Sequence, residues 1–144
     1  MKFKRIITMV LSAFCLFTTV GTVAYADAVS NPDYGVSPAY EYADNPTSIL
    51  TTSGQTAYCT SKTDGNAVSI TVEQTLEKYS GWFWIWNDVE GASWTKTENS
   101  GAIAMTNTKS GLPSGKYRLK SVFTLTSSSG KTETITIYSA EKSI

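Results

Sequence analysis

Apolar and polar side chains alternate one by one along residues 67–77, and no other part of the sequence constrains the fold as tightly. One set of alternate positions holds Val68, Ile70, Val72, Gln74 and Leu76, and the other holds Ser, Thr and Glu. Because successive side chains of a β-strand leave opposite faces, the pattern predicts a strand with the first set in a core and the second in water. A sheet with one wet face indicates antiparallel pairing.

Further segments rich in Thr, Ser, Val, Ile and aromatic residues predict more strands, separated by glycine-containing breaks about every ten residues. These segments are residues 48–52, 55–61, 83–89, 102–108, 116–126 and 131–139, with an additional edge strand near 93–98. No segment after residue 26 shows a sustained 3.6-residue apolar period, so we expect almost no helix. The pattern predicts an all-β domain, a single Ig-like or fibronectin-type antiparallel β-sandwich of about seven strands.

The stretch LPSGKY, which contains Leu112, Gly115 and Tyr117, leads into the predicted strand at 116–126. It has the form of a tyrosine corner, in which a tyrosine near the start of a strand turns its hydroxyl back to the backbone a few residues upstream. We predict that Tyr117 has this structural role at a crossover between two sheets. The alternative is an ordinary core tyrosine, which leaves the sandwich prediction unchanged.

The first 26 residues have the form of a secretory signal peptide that is cleaved after Ala26. Lys2, Lys4 and Arg5 precede an uncharged apolar stretch at 6–23, and the tripeptide AYA follows it. The alternative is a retained membrane anchor, since a spanning helix needs about 20 apolar residues. We expect cleavage and therefore a secreted protein, either extracellular or associated with the cell envelope.

Residues 27–47 are predicted to form an extended or disordered linker. Pro32, Pro38 and Pro46 are spaced along a segment that has almost no aliphatic residues, and proline disfavours both helix and sheet. Its tyrosines, among them Tyr40 and Tyr42, could dock on the domain or on a partner. The β-sandwich domain is expected to occupy residues 48–144.

Cleavage would leave nine basic residues against twelve acidic ones, a net charge of −3. An acidic domain without a basic cluster makes a poor partner for nucleic acid, and no segment after the signal could span a bilayer. Cys59 would be the only remaining cysteine, so no intrachain disulfide is possible. It shares one face of a predicted strand with Ala57, which favours a buried structural role. Pairing between chains is the alternative, and the oligomeric state stays open.

The chain contains no histidine, which removes the usual activators of Ser and Cys nucleophiles and the commonest zinc ligand. Asp88 and Glu90 lie two residues apart on a predicted strand, where their side chains would project about 7 Å apart, a separation that a glycoside hydrolase could use. A domain of this size seldom builds the deep cleft that such an enzyme needs, so we assign both carboxylates to a solvated face. We expect no enzymatic activity, no cofactor and no metal site.

Three tryptophans, Trp82, Trp84 and Trp86, recur at every second position, and Trp94 follows. On a strand the first three indoles would share one face, and the apolar residues between them would take the other. In the functional interpretation, the four tryptophans form an exposed platform that binds a cell-wall glycan or another extracellular protein. In the structural interpretation, one indole belongs to the core, another packs beneath the linker or the C-terminus, and Trp82 closes a turn.

A set of short sequence features lies between residues 55 and 139. They are LEK at 76–78, Trp86 and Trp94 on either side of Val89, GKYRL at 115–119, and Glu133 with the pair YS at 138–139. This arrangement resembles small uncharacterised secreted proteins of Gram-positive, clostridia-like bacteria. The resemblance implies a secreted β-sandwich and carries over no activity and no site residue.

These features together predict a secreted, non-enzymatic binding module of the cell envelope or the extracellular space that uses surface aromatics. The alternative function is a released bacteriocin-like or toxin-like effector that acts on neighbouring cells by protein contact.

Overall fold

A computed structural model describes residues 39–144, in which all regular secondary structure is β-strand. The predicted signal peptide and residues 27–38 of the predicted linker lie outside the described residues. Residues 39–144 contain no helix that is long and apolar enough to cross a membrane. The strands are β1 (Ala43–Ser53), β2 (Thr56–Gly65), β3 (Ser69–Ser80), β4 (Ile85–Glu98), β5 (Ala102–Lys109), β6 (Lys116–Thr126), β7 (Thr132–Tyr138) and β8 (Lys142–Ser143).

The strands form two antiparallel sheets that pack against each other. One sheet has the order β1-β2-β5, and the other has the order β4-β3-β6-β7, with the short β8 paired to the start of β6. The predicted all-β antiparallel sandwich is confirmed. Its strand number is eight because the two-residue β8 adds to the seven longer strands.

Alternate residues of β3 point into the core, as the sequence pattern predicts. Ile70, Val72, Gln74 and Leu76 are all fully buried. The prediction was wrong for Val68, whose side chain is 50% exposed. This residue precedes β3, so the inward and outward alternation of the strand does not apply to its side chain.

A polar layer separates the apolar core into two clusters. The Gln74 side-chain amide donates to Ser61 Oγ at 2.7 Å, and its carbonyl accepts from Asn107 at 2.8 Å. Ser61 Oγ lies 2.6 Å from Ser121 Oγ, which donates onward to Ser48 Oγ at 2.8 Å. Buried polar groups are tolerated when every one is paired, and this chain of bonds joins strands of both sheets.

β1 begins at Ala43, five residues before the predicted start of the domain at residue 48. Pro46 lies where the β1–β2 register shifts, and Asn45 beside it has a φ of 49°. A proline is accommodated in a sheet at a bulge or on an edge strand, and β1 provides both. The segment just before β1 is also held, because the Glu133 carboxylate accepts the backbone N–H groups of Glu41 and Tyr42 at 2.9 Å each.

Candidate functional site

The connection between β3 and β4 carries the most exposed aromatic residues of the described chain. Trp82 is 86% exposed, Phe83 68% and Trp84 81%, and Ile85 beside them is 47% exposed. We call these four residues the aromatic tip. Of the seven large hydrophobic residues that are exposed in residues 39–144, four are therefore consecutive. The other three, Ile49, Tyr58 and Val68, lie on other elements of the sandwich.

Three of the four residues of the aromatic tip lie in a turn, and the predicted strand at 83–89 was wrong at its start. Residues 81–84 form the turn, and β4 begins only at Ile85. Trp84 has a φ of 58°, in the left-handed region that side chains other than glycine rarely adopt. Trp82, Trp84 and Trp86 therefore do not share one strand face, because the alternation of a strand does not extend into a turn.

Trp86 belongs to the outer face of the five-stranded sheet and is half-buried there. Its ring lies 5.3 Å from the ring of Tyr79 and 4.3 Å from the guanidinium of Arg118, measured between centres. Arg118 also stacks at 4.1 Å on Tyr138, and its Nε donates to Glu77 Oε2 at 2.6 Å. We call these five residues the brace. It holds the base of the β3–β4 hairpin against β6 and β7.

Trp94 faces inward and packs against both core clusters. It pairs with Gln74, a fully buried residue of β3, and is itself half-buried at the rim of the sandwich. The structure thus divides the four predicted ligand-binding tryptophans. Trp82 and Trp84 lie on the aromatic tip, Trp86 in the brace and Trp94 at the core.

The predicted tyrosine corner has the expected geometry. The Tyr117 ring is fully buried, and its hydroxyl donates to the carbonyl of Pro113 at 2.5 Å. Leu112 is buried in the same core cluster, and its backbone N–H donates to the carbonyl of Gln55 at 3.0 Å. Gly115 exchanges two backbone hydrogen bonds with Ile144, at 2.9 and 3.0 Å. The corner therefore joins both sheets and the C-terminus.

Cys59 and Ala57 are both fully buried in the core cluster that contains Leu76 and Tyr117. Burial raises the pKa of its thiol to about 11, so the thiolate is scarce at neutral pH. A side chain with no exposed surface cannot reach another chain while the domain stays folded. The position suits a structural residue and not a nucleophile.

Comparisons with protein-family models, curated proteins and solved structures found no match.

Asp88 and Glu90 are both exposed, as the sequence predicts. Four residues of β4, 89–92, lie opposite Leu76 alone, so the two strands lose their regular register between Asp88 and Ser93. Glu90 lies within this bulge, and the two carboxylates are not adjacent members of a regular strand face. Within residues 39–144, no group of three or more acidic or cysteine side chains could hold a metal ion.

The aromatic tip lies at the opposite end of the sandwich from the point where the chain enters β1. At the entry end, the backbone N–H of Asn66 donates to the carbonyl of Tyr42, which places the start of β3 beside the start of β1. At the tip end, Lys78 pairs with Tyr117 near the close of β3. The twelve residues of β3 span about 40 Å at 3.3 Å each. A partner bound at the tip would thus be remote from the start of β1.

The sequence alone did not predict the contacts of the brace or the exposure of two residues of the tip. Glu77, Arg118 and Tyr138 come from three strands, and only the cross-strand register brings them together. Phe83 and Ile85 were expected on the face opposite the tryptophans. The one signal for their actual position is Gly81, a turn-forming residue immediately before the aromatic run.

Proposed function

We propose that this protein is a secreted, non-enzymatic binding module that contacts its partner through the aromatic tip. The observation that carries the proposal is the exposure of Trp82 and Trp84, at 86% and 81%, on either side of Phe83 in one turn. A contiguous exposed apolar patch on a small soluble domain marks a contact site, and buried Trp residues dominate the energetics of interfaces. Each aromatic side chain can bury about 150–250 Å².

The packing of the sandwich supports this assignment. Neither apolar cluster includes Trp82, Phe83 or Trp84, so the folded core does not depend on them. The nearby aromatic residues Trp86 and Tyr79 instead belong to the brace, which fixes the base of the hairpin. A rigid base that presents an exposed apolar end is an arrangement suited to binding.

Secretion and the finer fold type are part of the same proposal. The basic, apolar and small-residue sequence of residues 1–26 supports export to the cell envelope or the extracellular space. The division into three and four longer strands, together with the Tyr117 corner, supports a fibronectin-type or Ig-like sandwich.

The test is sedimentation of the protein with intact cell envelopes. The protein is collected from the medium of an expressing host, and mass spectrometry of its N-terminus checks cleavage after Ala26. A tip variant, W82S/F83S/W84S, is compared with a control, I49T/Y58T/V68T, which removes exposed apolar side chains elsewhere. We expect the tip variant to lose at least about tenfold in apparent affinity and the control to lose little.

Equal binding by the tip variant would overturn the proposal. Binding that depends on the tip but is confined to cells of other species would favour the released effector over a module of the producing cell.

A further inference from the structure

We infer that the partner of the aromatic tip is the interfacial layer of a lipid bilayer, into which Trp82, Phe83 and Trp84 insert. This inference rests on the proposed function and names the chemistry of its partner. The shape of the tip, the absence of charged side chains at residues 79–87 of the hairpin and the direction in which the tip points support it.

The tip is convex, which argues against a glycan or small-molecule site. Trp82 and Trp84 each expose more than four-fifths of their surface, so neither indole forms the wall of a cleft. Sites for small ligands are concave and include a few placed polar groups. The recess beside the base of the hairpin, about 320 Å³, includes none of the three aromatic residues, and its lining is Lys78, Tyr79, Ser80, Asn87, Asp88 and Val89.

The end of the β3–β4 hairpin carries no charged side chain over a length that matches the depth of a bilayer interface. No side chain from residue 79 to residue 87 carries a charge at neutral pH. The first acidic residues lie in the cross-strand pair Glu77 and Asp88, three residues behind the pair Ser80 and Ile85. Three residues of a strand span about 10 Å. Amphipathic segments at membrane surfaces bury their apolar face about 5–10 Å deep, so the tip can insert to this depth without drawing either of these two carboxylates into the apolar layer.

The composition of the tip suits this layer. Tryptophan is enriched at membrane–water interfaces because its ring is apolar and its N–H still finds a polar partner. Lys78, which is nearer the tip than either carboxylate, has a flexible apolar stem that allows its ammonium to stay in water or reach a lipid phosphate.

The charges of the sandwich indicate that insertion is driven by apolar burial and not by electrostatic attraction. Two of the basic residues at the tip end, Arg118 and Lys116, are already paired, with Glu77 and Glu141 at 2.6 and 3.2 Å respectively. The carboxylates of the entry end, at the far end of the sandwich from the tip, are Glu41, Asp44, Asp64, Glu98 and Glu133. Insertion by the tip also leaves the start of β1, at the other end, clear of the bilayer.

The experiment uses protein-free vesicles of phosphatidylcholine with the protein collected from culture medium. Binding is followed by sedimentation and by the emission of tryptophan, with bromine-labelled lipids as quenchers. We expect the wild type to bind, its emission to shift to the blue, and bromine near the head group to quench more than bromine deep in the chain. The W82S/F83S/W84S variant should lose at least about tenfold in apparent affinity, and I49T/Y58T/V68T should match the wild type.

Salt tests the driving force. Between about 0.1 M and about 1 M NaCl the Debye length falls from about 10 Å to about 3 Å, so electrostatic attachment would weaken steeply, whereas apolar insertion would not. Vesicle binding should persist across this range.

The outcomes separate the inference from the proposed function. Tip-dependent binding to cell envelopes without binding to vesicles would overturn the bilayer as partner and leave a protein or glycan of the envelope in its place. Vesicle binding that survives in the tip variant, or that is lost in high salt, would also overturn the inference. Envelope binding that ignores the tip would overturn the proposed function itself.

Discussion

The two hairpins of the five-stranded sheet end in turns of opposite character. Between β6 and β7 the turn is Ser127, Ser128, Ser129 and Gly130, and it closes on itself. The Ser127 N–H donates to the Lys131 carbonyl at 2.8 Å, and the Gly130 N–H donates to the Ser127 carbonyl at 2.9 Å. Gly130 takes the left-handed position, with a φ of 81°. Between β3 and β4, Trp84 occupies a left-handed position with a φ of 58°.

The polar turn shows that Ser and Gly residues are sufficient to reverse the chain direction between two strands of this sheet. A side chain in the left-handed region costs about 1–2 kcal/mol that glycine avoids. Trp82, Phe83 and Trp84 also leave their apolar surface in water, so they return little of that cost through packing. The difference between the hairpins indicates that the aromatic residues serve contact with another molecule and not the folding of the turn.

Arg118 is where the two hairpins meet, and its replacement should have the largest effect on stability. Its guanidinium lies between Trp86 of the aromatic hairpin and Tyr138 of the polar one. R118A removes both stacking contacts and leaves the Glu77 carboxylate buried without its partner. We expect the free energy of unfolding to fall by about 3 kcal/mol. Urea denaturation measures it.

The matched control is K120A, on the same strand and the same face, whose side chain forms no ion pair within residues 39–144. It should cost less than about 0.5 kcal/mol. Equal losses in the two variants would mean that the brace does not stabilise the hairpins.

G130A tests the polar turn and should have the second-largest effect. A Cβ at this position would meet no atom within 4 Å, so the cost is conformational and not steric. We expect a loss of about 1 kcal/mol in the free energy of unfolding, because alanine disfavours a φ of 81°. S128A, in the same turn, should change stability by less than about 0.5 kcal/mol. If G130A proved neutral, the left-handed conformation would not be what this turn requires.

The two hairpins also show which features can be predicted from sequence. Strand β6 was predicted with its observed bounds because a long alternation is bracketed by Gly115 and a Ser-rich turn. The predicted start of β4 was wrong because tryptophan and phenylalanine favour strands. Their run at 82–86 outweighed the single turn signal at Gly81. Local propensity cannot recognise a turn whose residues are chosen for contact.

The candidate site was predicted in part for a related reason. The recurrence of tryptophan at every second position predicted Trp82 and Trp84 as candidate contact residues, and both are exposed on the tip. The separate roles of Trp86 and Trp94 could not be predicted, since they depend on which residues lie opposite on β3 and β6. Register is a property of the assembled sheet. The bulge at 89–92, which changes that register, carries only Gly91 as a local signal.

The smallest expected change in stability is the difference between two variants of Trp84, which separates the backbone strain at this position from the loss of the indole. W84A removes the indole and keeps a side chain at a φ of 58°, whereas W84G removes both the indole and the strain. Trp84 is 81% exposed, so W84A should match the wild type in stability within about 0.5 kcal/mol. W84G should exceed W84A by about 0.5–1 kcal/mol in urea denaturation, because relief of the left-handed strain outweighs the greater freedom of glycine in the unfolded chain.

Both Trp84 variants should bind vesicles more weakly than the wild type and to the same extent, because both lack the indole. Stability would then rise in W84G while binding falls, which is the expected behaviour of a residue retained for contact at a cost to the fold. A W84G variant less stable than W84A would instead place Trp84 among the residues that stabilise its turn, and the contrast with the polar hairpin would not hold.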